Sequence, residues 1–69
     1  MEPYIIRQRD RQGDVVSEQH VEATSNDFAL RQVKDVAAHV ERLEVYDRDG
    51  KKVREIGVAY WRRRTGRRR

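Results

Sequence analysis

Residues 43–56 read LEVYDRDGKKVREI, and this stretch decides the fold. Apolar and aromatic residues alternate with polar ones on both sides of the Asp-Gly pair at positions 49–50. Alternation around Asp-Gly is the strongest short-range signal for a β-hairpin. We therefore expect two antiparallel strands here.

The loop of this hairpin can close in two ways. A three-residue loop with Gly50 in the left-handed conformation sets Glu44 opposite Arg54, which is a favourable cross-strand pair. A two-residue loop sets Glu44 against Glu55, and like charges directly opposite each other are destabilising. The sequence therefore favours the longer loop, in which Asp47 pairs with Lys51.

A second hairpin precedes it in the chain. Residues 4–9 are rich in β-branched and aromatic side chains and read as a strand, and residues 15–23 read as its partner. The segment between them, residues 10–14, has turn composition, and Gly13 is free to take a positive φ.

Between the hairpins the sequence predicts a helix of about fifteen residues. Ser25 or Asn26 can serve as its N-cap, and Asp27 places a negative charge in its first turn. Apolar residues then recur on one side of the helix, which must pack on the sheet. These residues are Ala29, Val33, Val36, Ala37 and Val40.

The last predicted strand ends near Trp61. Its apolar alternation slips at Gly57, which indicates a β-bulge or a bend. The resulting order is β-β-α-β-β. We expect an α+β domain, a small antiparallel sheet with one amphipathic helix packed on one face.

This layout resembles small uncharacterised bacterial and phage domains built as hairpin, helix and Asp-Gly hairpin. The resemblance is carried by residues 43–55 and the helix before them, which is under half of the chain. It is structural and assigns no functional residue.

Composition limits what such a chain can be. Sixty-nine residues, 36% hydrophobic and 41% charged, allow one domain with a thin core. The chain has no cysteine, so disulfides and thiolate metal sites are excluded. No apolar run approaches the length of a membrane span or a signal peptide. We expect a cytoplasmic protein that does not associate with membranes.

The charge of the chain is divided unevenly. Residues 1–61 hold ten Lys and Arg against twelve Asp and Glu, a net charge of −2. Residues 62–69, with the sequence RRRTGRRR, hold six arginines and no acid. We therefore divide the chain into a domain of residues 1–61 and an arginine tail of residues 62–69. Such asymmetry is typical of a segment that binds nucleic acid or another anionic surface.

The chemistry of the tail favours phosphates. The guanidinium group is a planar fork of donors that fits phosphate oxygens and stacks on bases. An adjacent aromatic ring can stack on an unpaired base. Like charges this close also repel, so we expect the tail to be disordered until an anion binds, and the fold to be independent of it. The predicted nucleic-acid-binding residues are Arg62, Arg63, Arg64, Arg67, Arg68 and Arg69, together with Tyr60, Trp61, Lys51, Lys52 and Arg54.

Other interpretations of the same residues stay open. The tail can be a solubilising terminus, with Tyr60 and Trp61 closing the core. The partner can be an anionic protein surface, and the chain a protein-binding module such as a phage-type inhibitor of a host complex or an assembly subunit. The two edges of so small a sheet predict a monomer or a weak homodimer paired through an edge strand.

The sequence predicts no enzyme, no cofactor and no metal site. His20 and His39 are far apart and lack a clustered set of further ligands. Residues 47–50 begin like a calcium loop, but the glycine follows too soon and a strand resumes at once. We find no nucleophile–base pair and no glycine-rich phosphate loop.

Overall fold

The computed structural model describes residues 1–64 as a four-stranded antiparallel sheet with two short helices. The sheet has the strand order β2-β1-β3-β4. The prediction of an α+β fold built on a small antiparallel sheet is confirmed, but the chain adds a helix after the last strand. The elements are β1 Glu2–Asp10, β2 Val15–Ala23, α1 Asn26–Arg31, β3 Val40–Tyr46, β4 Lys52–Gly57 and α2 Val58–Arg64.

The first hairpin forms where the sequence places it. Strands β1 and β2 pair from Glu2 with Ala23 onward. Gly13 closes the turn with a φ of 90°, a conformation that glycine adopts without a steric penalty. A bulge opposite Gln8 and Arg9 disturbs the pairing near the turn.

One face of the sheet carries the core. Both helices and the segment that joins α1 to β3 cover it, and the largest fully buried side chains are Ile6, Val33, Leu43 and Val45. Neither α1 nor α2 covers the other face of the sheet, which we call the open face. Among the residues whose burial is described, 1–63, the buried apolar ones are Ile6, Val21, Ala23, Ala29, Leu30, Val33, Val40, Leu43, Val45, Ile56, Val58 and Trp61.

The prediction of one fifteen-residue helix is wrong. Helix α1 has six residues, capped as expected by Ser25, whose Oγ accepts a hydrogen bond from the Phe28 amide at 3.3 Å. The chain then leaves the helical path, and Val40 becomes the first residue of β3. Val33 is buried as predicted, but Val36 is only half-buried and Ala37 is exposed.

A buried glutamine explains why the helix stops. The Gln8 side chain lies on the core face of β1 and is only 4% exposed. Its amide nitrogen donates to the Asp35 carbonyl at 3.1 Å, and its amide oxygen accepts from the Ala37 amide at 2.9 Å. A continuous helix would occupy these main-chain groups, and an unsatisfied buried amide costs about 1–3 kcal/mol. The unwound segment satisfies Gln8 instead.

The second hairpin has the predicted loop but not the predicted register. The Asp47 amide donates to the Lys51 carbonyl at 2.9 Å, and Gly50 has a φ of 80°. One strand residue further on, the register shifts between Val45 and Tyr46, so that Glu44 faces Glu55 instead of Arg54.

Burial of Ile56 decides this register. The shift sets Ile56 beside Leu43 in the core, where Ile56 is 6% exposed. Burying an isoleucine stabilises a fold by about 1.5–3 kcal/mol, whereas a favourable cross-strand charge pair contributes only about 0.2–1 kcal/mol. The bulge therefore lies at Val53, not at Gly57 as the alternation had indicated.

The chain beyond Gly57 is helical, so the predicted continuation of the last strand to Trp61 is wrong. In α2, the spacing of Val58 and Trp61 places both side chains on the side that packs into the core. Alanine and arginine are also good helix formers, and cations favour a helix C-terminus. The boundary that we placed between residues 61 and 62 falls inside α2.

Candidate nucleic-acid interface

Trp61 anchors α2 to the rest of the domain. The indole is 3% exposed, and its Nε1–H donates to the carbonyl oxygen of Leu30 at 3.2 Å. A ring with both faces buried cannot stack on a base. Of the two roles that the sequence left open for Trp61, the structure shows the one in the core.

The solvent side of α2 carries the candidate site. Tyr60 is 48% exposed, and Arg62 and Arg63 are exposed. Arg64 is the last residue of the helix, so the tail begins as a helical turn, which corrects the expectation that it is disordered from residue 62. The predicted binding residues Arg67, Arg68 and Arg69 lie outside the described residues.

The hairpin cations do not join this surface. Lys51 and Lys52 lie at the start of β4 and α2 follows its end, so the five residue steps from Lys52 to Gly57 separate them by roughly 17 Å. Arg54 lies on the core face, where its guanidinium donates to Asn26 Oδ1 at 3.2 Å. The structure thus exposes Tyr60, Arg62 and Arg63 on α2, separates Lys51 and Lys52 from them along β4, and engages Arg54 with α1.

Cations on the open face are bound to carboxylates. Glu44 is 4% exposed and accepts from Arg9 at 2.6 Å and from the Tyr46 hydroxyl at 2.7 Å. Lys52 Nζ lies 2.7 Å from Glu55 and 3.5 Å from Glu44, so it bridges the two carboxylates that the register sets opposite each other. Lys52 thereby reduces the repulsion between Glu44 and Glu55, which was the reason why the sequence did not favour this register.

The same pairing continues across the sheet. Arg7 donates to Glu18 at 3.1 Å, and its guanidinium lies 4.7 Å from the centre of the Tyr46 ring. Arg42 and Glu55 form a longer pair at 3.7 Å. These contacts satisfy the sheet cations internally, which leaves them poorly available to phosphate.

Protonation equilibria follow from these contacts. Burial raises the pKa of the Glu44 carboxyl, but the hydrogen bonds from Arg9 and Tyr46 and the charge of Lys52 outweigh burial, and the pKa lies below its ordinary value. Hydrogen bonds from His20 and Arg7 likewise lower the pKa of Glu18.

We expect Glu44→Gln to lower the free energy of unfolding by about 1–3 kcal/mol, because a buried charge-assisted hydrogen bond is lost. Since the folded pKa of Glu44 is depressed, its carboxylate stabilises the fold above the ordinary glutamate pKa, and this contribution is lost as pH falls through the folded pKa. Urea unfolding at several pH values measures both effects.

The matched control is Glu41→Gln. Within the described residues, Glu41 makes an exposed ion pair with Arg11 at 3.7 Å, so its removal should change stability by less than about 0.5 kcal/mol. Equal stability of the two variants at neutral pH would show that the Glu44 cluster does not stabilise the fold.

Residues 1–64 contain neither a metal-binding cluster nor a membrane-spanning helix. No group of three or more histidine or acidic side chains there is arranged to hold a metal ion. Helices α1 and α2, six and seven residues long, are too short to cross a membrane.

Comparison with protein-family models, with curated proteins and with solved structures finds no match to this chain. Gln8 and Glu44 are the important residues that sequence reasoning missed, and the only signal for them is a polar residue at an inward or crowded position of a strand.

Proposed function

We propose that this protein is a small, non-enzymatic, cytoplasmic nucleic-acid-binding accessory protein whose tail, residues 62–69, lies along phosphates. The observation that carries the proposal is the distribution of positive charge. Six arginines occupy residues 62–69 and begin on the exposed end of α2, whereas residues 1–61 carry a net charge of −2.

The chemistry of the site supports contact with the nucleic-acid backbone. Guanidinium groups bind phosphate oxygens with two parallel hydrogen bonds. Phosphate contacts supply affinity without reading sequence. Tyr60 is half-exposed on the same helix as Arg62 and Arg63, and we propose that its ring stacks on an unpaired base.

The charge of residues 1–61 bears on the direction from which nucleic acid approaches. The net charge of residues 1–61 is −2, so a polyanion is repelled by the body of the protein and attracted to one end. We propose that nucleic acid approaches along α2 and does not cross the open face. The hairpin residues Lys51, Lys52 and Arg54 are secondary contacts at most in this arrangement.

A second candidate is a protein-binding module, such as a phage-type inhibitor of a host complex or an assembly subunit. The observation that favours it is the open face, which carries side chains of both charges and is covered by neither helix. In that case the anionic ligand of the tail is a protein surface.

A charge-matched pair of triple variants tests the proposal. One replaces Arg62, Arg63 and Arg64 with glutamine, and the control replaces the exposed Arg31, Lys34 and Arg48 with glutamine. Both variants lose three positive charges. Fluorescence anisotropy with labelled single-stranded RNA, single-stranded DNA and duplex DNA measures the Kd.

We expect the arginine variant to bind about tenfold more weakly or worse at low salt, and the control to stay within about threefold of the wild type. Substitution is preferable to deletion of residues 62–69, because deletion would remove the last turn of α2. Equal losses in the two variants would mean that net charge, not the tail, binds nucleic acid. Absence of binding by the wild type would favour the protein partner.

A further inference from the structure

The outer edge of strand β2 is open along much of its length. The strand order places β2 and β4 at the two edges of the sheet. The edge of β4 is short, is broken by the bulge at Val53 and continues directly into α2. β2 has nine residues and pairs only with β1. Unpaired edge strands are templates for another strand.

The main-chain groups that face outward on β2 can be identified from one contact. Gln32 Nε2 donates to the Glu22 carbonyl at 2.7 Å, and the residue opposite Glu22 in β1 is Pro3, which has no N–H. Glu22 therefore directs its main chain away from β1. In an antiparallel strand the N–H and C=O groups of every second residue point to the same side. The main-chain groups of His20 and Glu18 therefore also point outward.

Gln32 covers this edge at one end only. Among residues 1–64, no hydrogen bond satisfies the outward main-chain groups of Glu18 or His20. Both residues lie in the regular part of the strand, beyond the bulge near the turn. The open edge is thus a short, regular segment centred on Gln19.

We infer that this edge pairs antiparallel with the same edge of a second copy of the chain, with the twofold axis at Gln19. In this register Glu18 of each copy faces His20 of the other, so the pair occurs twice. Side chains that attract or hydrogen-bond each other across a strand pair are favourable. Such a pairing is self-complementary, as a twofold interface must be.

The neighbouring registers are unfavourable. An axis at Glu18 sets that carboxylate against itself. An axis at His20 sets Glu18 against Glu22 twice, and an axis at Val21 needs the Glu22 carbonyl that Gln32 already occupies. Of these four axes, the one at Gln19 keeps its central hydrogen-bonded pairs, Glu18 with His20, free both of like charges and of the carbonyl that Gln32 occupies.

The surroundings of the edge fit this pairing. His20 Nε2 lies 3.1 Å from Glu18 of its own chain, and Arg7 also donates to Glu18 at 3.1 Å. Two copies would therefore join a row of alternating carboxylate and nitrogen donors. α2 contacts β3 and β4 at the far side of the sheet, so dimerisation at β2 leaves the tail uncovered.

Cysteine cross-linking tests both the dimer and its register, because the chain has no cysteine of its own. In Gln19→Cys the two thiols face each other as a non-hydrogen-bonded pair, within the Cα separation of roughly 4.4–6.8 Å that a disulfide needs. In Ser17→Cys, the control, the two thiols are four residues apart along the ladder, roughly 13 Å. Oxidised glutathione supplies the oxidising equivalents and is reduced to two thiols.

We expect Gln19→Cys to form a covalent dimer at least about tenfold faster than Ser17→Cys. Adding His20→Pro to Gln19→Cys should abolish the cross-link, since it removes an outward N–H without touching the β1 ladder. Circular dichroism checks that each variant is folded. If the proline variant is unfolded, comparison of the two cysteine variants still tests the dimer and its register. Equal cross-linking rates, or a wild-type sedimentation coefficient that stays at the monomer value as concentration rises, would overturn the inference.

Discussion

Trp61→Ala should lower the free energy of unfolding by about 3–5 kcal/mol. A domain of this size is stabilised by roughly 5 kcal/mol in total, so the variant should be largely unfolded near physiological temperature. Removal of the large buried ring leaves a cavity. It also removes the hydrogen bond that the indole N–H donates to the Leu30 carbonyl at 3.2 Å.

The matched control is Tyr60→Ala. Tyr60 is the neighbouring aromatic residue on the same helix, but it is 48% exposed, and its loss should cost about 1 kcal/mol or less. Thermal and urea unfolding followed by circular dichroism compare the two variants. Cooperative melting of Trp61→Ala near the wild-type temperature would contradict the assignment of the indole to the core.

This pair of variants also separates structure from binding. Any loss of nucleic-acid binding in Trp61→Ala follows from unfolding. Stacking on a base is tested instead by Tyr60→Ala, whose ring is accessible and whose fold should persist. The sequence could not distinguish these two aromatic residues, because they are adjacent and either could face solvent.

The hairpins were predictable because their determinants are local. Gly13 and Gly50 both adopt the positive φ that their turns require, and Ser25 caps α1 as its side chain suggests. Each of these features depends on a few neighbouring residues, so the sequence contains what is needed to derive them.

Features that depend on distant contacts were not predictable. The end of α1 is set by Gln8, whose partners Asp35 and Ala37 are 27 and 29 residues away. The register of the second hairpin is set by burial of Ile56 against the core. In both cases a local preference of a few tenths to about 1 kcal/mol is outweighed by tertiary packing.

The candidate site, too, was predictable only where its signal is local. Composition alone identifies the arginine tail, since six arginines in eight residues stand out in any chain. The sequence did not reveal that Lys52 is held between Glu44 and Glu55, or that Arg54 faces the helix side of the sheet. These facts depend on strand register, and because of them we propose that α2 and the tail form the site.

Salt dependence of nucleic-acid binding is the second large effect that we expect. Each phosphate that a cation neutralises contributes a slope of about −0.9 on duplex DNA and about −0.7 on single strands to a plot of log K against log salt. Since six arginines rarely all engage at once, the wild type should show a slope of roughly −2 to −5. Replacing all six arginines of residues 62–69 with glutamine should remove most of it.

The most direct measurement of the central claim is therefore this slope, determined by anisotropy titration of a labelled single strand for the wild type and for the variant with six glutamines. Circular dichroism provides the control that the variant keeps its fold. We predict a steep slope for the wild type and a slope near zero for the variant. Binding by the wild type that does not change with salt, or a slope that the six substitutions leave unaltered, would contradict the proposal that the tail binds phosphates.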